Sequence, residues 1–128
     1  MPITRFEELR VWQQARAFDR DVYLMTRAPA FARDFAMSDQ ARRASLSVMN
    51  NIAEGFERFR RAEFMQFLSI AKGSSGEVRS MLYAALDVGY LKAPVFDEML
   101  AKAEDLGRSI GTFRTGLERS APRPTSRK

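Results

Sequence analysis

The sequence predicts an all-α protein, an up-down antiparallel four-helix bundle that assembles with copies of itself. Two observations predict the bundle. Apolar residues recur every three or four positions along four long stretches, and only short connections separate these stretches. A third observation predicts assembly: the second stretch carries two apolar stripes, whereas a surface helix of a monomer needs only one stripe of about 100°.

The composition is that of a soluble globular domain. Of 128 residues, 45% are hydrophobic and 29% are charged, which suits one domain with a sizeable core. We expect residues 1–119 to form the bundle and residues 120–128, which include two prolines, to form a disordered basic tail. The chain has no apolar run of the roughly 18 residues that a membrane span needs, and its first ten residues lack the apolar segment of a secretory signal. A cytoplasmic location is therefore expected, with no membrane partner.

The absence of certain residue types restricts the chemistry. The sequence contains no cysteine and no histidine, which excludes disulfides, thiolate ligands and the commonest general base. It also excludes the Glu-x-x-His pairs of di-iron bundles. We therefore expect no enzyme activity, no cofactor, no metal and no small-molecule substrate. The remaining metal alternative is a magnesium site built from Glu54, Glu57, Glu63 and Glu77.

The first helix is predicted over residues 7–27, with Glu7 and Glu8 in its first turn. Its apolar seam consists of Val11, Ala15, Phe18, Val22 and Met25. Pro29 ends this helix, because proline disfavours helical backbone in the residue before it.

The second helix is the centre of the prediction. Residues 30–37 form the connection to it, Asp34 or Ser38 caps it, and Gly55 or the residues just after it end it. One apolar stripe consists of Ala41, Ala44 or Ser45, Val48 and Ile52, and the other of Leu46, Met49, Ala53 and Phe56. We predict that the oligomer interface contains Leu46, Met49 and Phe56, together with Trp12, which lies off the seam of the first helix.

The third helix is predicted from about residue 62 to residue 90, and the fourth from Pro94 to Leu117. The predicted seam of the third consists of Phe64, Leu68, Ala71, Ser75, Val78, Leu82, Ala85 and Gly89, and that of the fourth of Phe96, Met99, Ala103, Leu106, Ile110, Phe113 and Leu117. The segment KGSSGE in the middle of the third resembles a loop in composition. However, Leu68 and Ala71 before it stay in phase with Val78 and Leu82 after it, which favours one unbroken helix. The small residues then predict a place where another helix backbone approaches closely.

Five polar residues stand out within these helices: Arg42, Arg43, Asn51, Glu54 and Glu77. The favoured interpretation is a buried or interfacial ion-pair and amide network that determines helix register or subunit contacts. A ligand or nucleic-acid contact and plain solvent exposure are the alternatives. Glu77 is expected to pair with Arg42 or Arg43.

The positive charge lies mostly at the end of the chain. The net charge is +5, of which residues 1–113 carry only +1. Two elements are candidate nucleic-acid contacts: the turn with Arg58, Arg60 and Arg61 around Phe59, and the tail with Arg123, Arg127 and Lys128. The alternatives are a solvated turn with Phe59 packed at the bundle end, and a tail that only aids solubility.

These features together resemble a known family. The chain resembles the small four-helix-bundle proteins first found as open reading frames in intervening sequences of bacterial 23S ribosomal RNA genes, and is similar to the accessory variability proteins of diversity-generating retroelements. The matching residues are Phe6-Glu7-Glu8-Leu9, Val11-Trp12, Gln40, Arg42-Arg43-Ala44, Asn51-Ile52-Ala53-Glu54-Gly55-Phe56, Glu63-Phe64, Phe67-Leu68, Ile70-Ala71, Gly73-Ser74, Glu77 and Asp87-Val88-Gly89-Tyr90-Leu91.

The resemblance implies a ring-like homo-oligomer of five subunits and no enzyme activity. The expected function is that of a non-enzymatic interaction protein whose partners are itself and structured RNA or DNA. The alternative is a protein-binding or scaffolding assembly with no nucleic-acid role.

Overall fold

The computed structural model describes residues 2–58 and 60–120, and the regular structure in these ranges is entirely helical. A 3₁₀ turn at Phe6–Glu8 precedes five α-helices, which are α1 (Arg10–Met25), α2 (Pro29–Arg33), α3 (Phe35–Glu57), α4 (Arg61–Asp87) and α5 (Ala93–Arg119). The prediction of an all-α fold is confirmed. Phe59 and the predicted tail contacts Arg123, Arg127 and Lys128 lie outside the described residues.

The four long helices pack in a closed cycle. α3 lies between α1 and α4, and α5 lies between α4 and α1. Neighbouring helices run antiparallel: Phe64 at the start of α4 contacts Phe113 late in α5, while Tyr83 late in α4 contacts Phe96 early in α5. We call the end where α1 and α4 begin the base of the bundle.

The predicted apolar seams form the core. A fully buried Val, Leu, Ile, Phe or Met side chain contributes roughly 1.5–3 kcal/mol, so these seams supply most of the drive to fold. The predicted seam residues that the structure buries are Val11, Ala15, Phe18, Val22, Ala41, Ala44, Ser45, Val48, Ile52, Leu68, Ala71, Ser75, Val78, Leu82, Ala85, Phe96, Met99, Ala103, Leu106 and Ile110.

The start of the first helix differs from the prediction. Leu9 is extended, with φ −73° and ψ 126°, and it separates the 3₁₀ turn from α1. The Glu8 carboxylate accepts from the backbone N–H groups of Thr4 and Arg5, at 2.9 and 3.3 Å. Glu8 therefore closes its own turn and does not lie in the first turn of α1.

The predicted connection at residues 30–37 was wrong. Residues 29–33 form α2, and α3 already begins at Phe35. Phe31 is 1% exposed and contacts the ring of Tyr90, 5.4 Å away between centroids. Asp34 caps α3, as predicted, by accepting from the backbone N–H of Met37 at 3.0 Å, and its other oxygen accepts from the Tyr90 hydroxyl at 2.9 Å. α2 thus closes the end of the bundle opposite the base.

The small residues of KGSSGE lie at a close helix approach, as predicted, and α4 runs unbroken through them. Ser75 is buried, and a Cβ built at Gly107 of α5 would lie 3.3 Å from its hydroxyl oxygen. A Cβ built at Gly73 or Gly76 would meet nothing within 4 Å among the described residues beyond the adjacent backbone of α4.

α3 ends at Glu57, two residues after Gly55, as predicted, but Gly55 itself is buried and makes a closer contact that was not predicted. A Cβ there would lie 2.7 Å from the Cβ of Phe67. Glycine is required at Gly55 because α4 packs directly against the α3 backbone.

Candidate nucleic-acid contacts and the predicted polar network

The five predicted polar residues do not form one network within the chain. Arg43 pairs with Asp39 at 2.8 Å, and Glu54 pairs with Arg58 at 2.9 Å. Glu77 accepts from the side-chain amide of Gln40 at 2.5 Å. The predicted pairing of Glu77 with Arg42 or Arg43 is therefore wrong in this chain.

The geometry of a helix explains why Arg43, Asn51 and Glu54 do not form one network. Residues eight apart share a face but lie about 12 Å apart along the axis, because the rise is about 1.5 Å per residue. Partners four residues away are much nearer, and both ion pairs above have that spacing. Asn51 likewise stays local and donates to the backbone oxygen and the hydroxyl of Ser47, at 2.8 and 2.9 Å.

Arg42 has a structural role between α1 and α3. Its Nε donates to Oγ1 of Thr26 at 2.9 Å, and its guanidinium lies 4.8 Å from the ring centroid of Tyr23. Thr26 is fully buried. Arg42 therefore connects the C-terminal end of α1 to α3.

Three polar contacts between helices were not anticipated. Ser45 donates to Asp19 at 2.7 Å, Lys102 donates to Asp21 at 2.9 Å, and the hydroxyls of Ser47 and Ser74 lie 2.8 Å apart. Burial raises the pKa of Asp19, and the bond from Ser45 partly offsets this effect. The hydrogen bonds to Asp21 and Glu98 raise the pKa of Lys102. The sequence contains only a weak signal for these contacts, because a serine inside an apolar seam indicates a close helix approach but does not identify the residue it bonds to.

The residues predicted to form the oligomer interface are partly covered by their own chain. Trp12, Met49 and Phe56 are half-buried and pack against the core of their own chain. Phe56 also contacts Phe64, with 6.0 Å between ring centroids. Leu46 is half-buried without belonging to the core cluster. The chain itself therefore covers Met49 and Phe56 of the second stripe of α3, whereas Leu46 and Ala53 are half-buried outside the core cluster.

Of the three arginines of the α3–α4 turn that were predicted to contact nucleic acid, two line a cleft at the base of the bundle. Arg58 is engaged by Glu54 and lies 5.2 Å from the ring centroid of Phe67. Arg60 and Arg61 form no ion pair with any described carboxylate. They line a cleft of about 580 Å³, called here the basal cleft, whose lining residues are Ile3, Thr4, Gly55, Phe56, Glu57, Arg60, Arg61, Phe64 and Leu117.

The basal cleft combines two chemistries. Phe56, Phe64 and Leu117 supply an apolar floor, while Arg60 and Arg61 supply two positive charges and Glu57 one negative charge, so the lining carries a net charge of +1. Arg60 is the N-cap residue of α4, and its side chain makes no cap bond because a guanidinium has no acceptor for the backbone N–H groups. The arrangement can accept a ligand that is flat and apolar on one side and anionic on the other.

The opposite end of the bundle is apolar. Among the described residues, most of the large apolar side chains that are well exposed lie where α1 and α4 end and where α3 and α5 begin. They are Leu24 (52%), Phe35 (81%), Tyr83 (51%), Val88 (57%) and Val95 (42%). Such clustering is typical of surfaces that contact another protein.

Neither a metal cluster nor a membrane span is found in the described part of the chain. No group of three or more acidic side chains there could hold a metal ion, and this holds for Glu54, Glu57, Glu63 and Glu77. None of the described helices is both long and apolar enough to cross a bilayer.

Comparison with known proteins supports the resemblance seen in the sequence. A solved structure of a protein of unknown function, from the S23 ribosomal protein family of Bacteroides thetaiotaomicron, has a TM-score of 0.75 and 22% identity, covering 82% of this chain and 95% of that one. At this identity, the likeness shows the fold alone. No curated protein matches the chain. The family described as 23S rRNA-intervening sequence protein matches residues 7–112, which is most of the length. The chain therefore belongs to the family of 23S rRNA-intervening sequence proteins.

Proposed function

We propose that this chain is a non-enzymatic interaction protein that assembles with copies of itself and binds structured RNA or DNA in the cytoplasm. The observation that carries the proposal is the basal cleft. It places two arginines that have no carboxylate partner among the described residues beside an aromatic floor.

The chemistry of the cleft suits an unpaired nucleotide. Arginine donates charge-assisted hydrogen bonds to phosphate, often two at once. Phe56 and Phe64 line the cleft but are half-buried, so a base would contact only the parts of the rings that face the cleft. Full stacking on an aromatic side chain contributes roughly 1–3 kcal/mol per base, and we expect a smaller contribution here. Arg58 contributes less, because Glu54 already holds its guanidinium.

Assembly supports the same function. The family resemblance implies a ring of five subunits, and Leu46 and the apolar end of the bundle supply surface for subunit contacts. A ring would present the basal cleft several times. Weak contacts at each copy then combine through effective concentration.

Fluorescence anisotropy tests the nucleic-acid role. Labelled stem-loop RNA, single-stranded RNA and duplex DNA are titrated with the intact protein at 50 and 200 mM salt. We expect tighter binding at low salt, because phosphate contacts release counterions. Arg60→Gln/Arg61→Gln should weaken binding to the RNAs that contain unpaired bases.

The matched control is Arg43→Gln/Arg108→Gln. It removes the same charge from two exposed arginines that are already paired with Asp39 and Asp105. Equal losses in the two variants would show that net charge alone matters and would refute a role for the cleft. No binding of any nucleic acid at 50 mM salt would refute the nucleic-acid role itself.

The exposed apolar end favours a second candidate, a scaffold that binds only protein. Phe35→Ser tests this, because Phe35 is the most exposed of the large apolar side chains at that end. Under the scaffold hypothesis, light scattering shows a smaller assembly or loss of a protein partner, and the anisotropy titrations show no binding.

A further inference from the structure

A row of arginines follows the outer surface of α1. Arg16 and Arg20 of α1 are exposed, as is Arg27 just after its end. At about 100° per residue, they lie on the side of α1 opposite its core residues, which are Val11, Ala15, Phe18 and Val22. From Arg16 to Arg27 this arginine ridge extends about 17 Å along the helix axis.

The acidic residues of α1 do not neutralise the ridge. Asp19 accepts from Ser45 of α3, and Asp21 accepts from Lys102 of α5, so both carboxylates are directed to neighbouring helices. No arginine of the ridge pairs with a described carboxylate. The outer surface of α1 is therefore cationic along the ridge.

The ridge concentrates charge that the whole-chain count conceals. Residues 10–33, which include the ridge as well as Arg10 on the flank of α1 and Arg33 of α2, contain five arginines and two aspartates, a net charge of +3, whereas residues 1–113 together carry only +1. The rest of the bundle is therefore slightly acidic. A surface of one sign attracts a polyanion and accelerates its association.

We propose that the arginine ridge binds the phosphate backbone of double-stranded RNA or DNA. The inference rests on the proposed nucleic-acid function and adds a second surface to it, separate from the basal cleft. Together, the two surfaces fit a structured nucleic acid that has a duplex stem and an unpaired segment.

Duplex is favoured over single strand because the ridge offers no free aromatic ring. Proteins that bind single strands stack bases on aromatic side chains. Trp12, on the flank of the ridge, is half-buried against Phe6 at 5.1 Å between centroids, and the Arg16 guanidinium lies 5.7 Å from its ring. On the same flank, Tyr23 lies beneath Arg42.

The composition of the ridge also disfavours a protein or a membrane as its partner. The buried centres of protein interfaces are depleted in charge, and Leu24 is the one large apolar side chain on this side of α1. A helix that lies on a membrane inserts its apolar face between the lipids. The apolar face of α1 is already in the bundle core.

The test compares two triple variants of the full chain. Arg16→Gln/Arg20→Gln/Arg27→Gln removes three charges from the ridge. Arg5→Gln/Arg43→Gln/Arg108→Gln removes three charges from arginines that are also exposed, at 70%, 72% and 69%, and that pair with acids elsewhere. Both variants should fold, since the changed side chains are exposed and glutamine is a good helix former. Circular dichroism and light scattering confirm fold and assembly size.

Binding is measured by anisotropy on duplex RNA, duplex DNA and single-stranded RNA over a salt series. We expect the affinity of the ridge variant for duplex to fall by about tenfold or more at low salt. Its slope of log affinity against log salt should become shallower by about 0.9 for each phosphate that the variant no longer neutralises. The control variant should keep most of the affinity, and single-stranded RNA should be affected less than duplex.

Several outcomes would overturn the ridge inference. Equal reductions of affinity in the two triple variants would show an effect of net charge only. A reduction confined to single-stranded RNA would remove the duplex assignment, and a changed assembly size in the ridge variant would make the ridge a subunit contact. If the unmodified protein binds duplex and the ridge variant binds it equally well, the ridge inference fails alone. If the unmodified protein binds no nucleic acid at low salt, the proposed function fails with it.

Discussion

Replacing Gly55 with alanine tests whether α3 and α4 leave any free space between them at the base of the bundle. The new Cβ would lie 2.7 Å from the Cβ of Phe67 and 2.9 Å from Cδ1 of Phe64. The Cβ of Phe67 is carried by the α4 backbone, so rotation of the Phe67 side chain cannot relieve the contact. Overpacking of this kind costs about 1–3 kcal/mol, and alanine regains about 0.5–1 kcal/mol of helix propensity.

Because the contact is with an atom fixed to the backbone, the upper part of that cost, about 2–3 kcal/mol, applies. The expected net loss is therefore about 1–2.5 kcal/mol, or roughly 3–10 °C in melting temperature for a domain of this size. Thermal and urea denaturation, followed by far-UV circular dichroism at one protein concentration, measure it. Gly73→Ala is the matched control in mid-helix, where the added Cβ meets nothing within 4 Å of the same chain. It should stabilise by about 0.5–1 kcal/mol. A Gly55→Ala variant as stable as the unmodified protein would refute the packing argument.

Three further predictions concern polar side chains. Glu77→Gln should change the free energy of unfolding in urea by less than about 0.5 kcal/mol, because Glu77 lies at the surface and, among the described residues, bonds only to Gln40. A larger loss would indicate that the predicted ion pair forms between subunits. Tyr90→Phe should cost about 1 kcal/mol in thermal denaturation, and Asp34→Ala should cost more because it also removes the cap of α3; equal losses would contradict this. Burial raises the pKa of Asp19, so the unmodified protein loses stability as the pH rises through that pKa. The Asp19→Asn variant should therefore be more stable than the unmodified protein in urea at pH 7 and equally stable below about pH 3.9. A difference in stability that persists in acid would refute burial of the Asp19 carboxylate as the cause.

The periodic residues were predictable because a helix repeats its environment. Apolar residues at helical spacing lie on one face of a helix, and that face is stable only when it is buried in the core. Val11, Phe18, Leu68 and Leu106 follow this rule and are buried. The continuity of α4 through KGSSGE followed from the same phase argument. The candidate arginines of the α3–α4 turn were also visible, since charged residues cluster at a short connection.

The features that could not be predicted depend on contacts between distant parts of the chain. Phe31 was placed in a connection because its partner, Tyr90, lies 59 residues away in sequence. The end of α3 just after Gly55 was predicted, but the close contact of Gly55 with α4 was missed because a glycine pattern does not distinguish a cap from a close helix contact. The basal cleft and the arginine ridge were hidden for the same reason: counting charges along a chain does not show which of them already have partners.

By itself, the sequence determined the helical class, the four seams and the family, because these follow from local periodicity and from residue identity at ordered positions. Only the tertiary structure decided which charges are left to act on a partner. In it, Asp19 and Asp21 turn toward α3 and α5, and the arginines beside them along α1 remain exposed. The physical reason is that a carboxylate neutralises the cation it contacts in space, and contact in space is set by packing between helices rather than by distance along the chain.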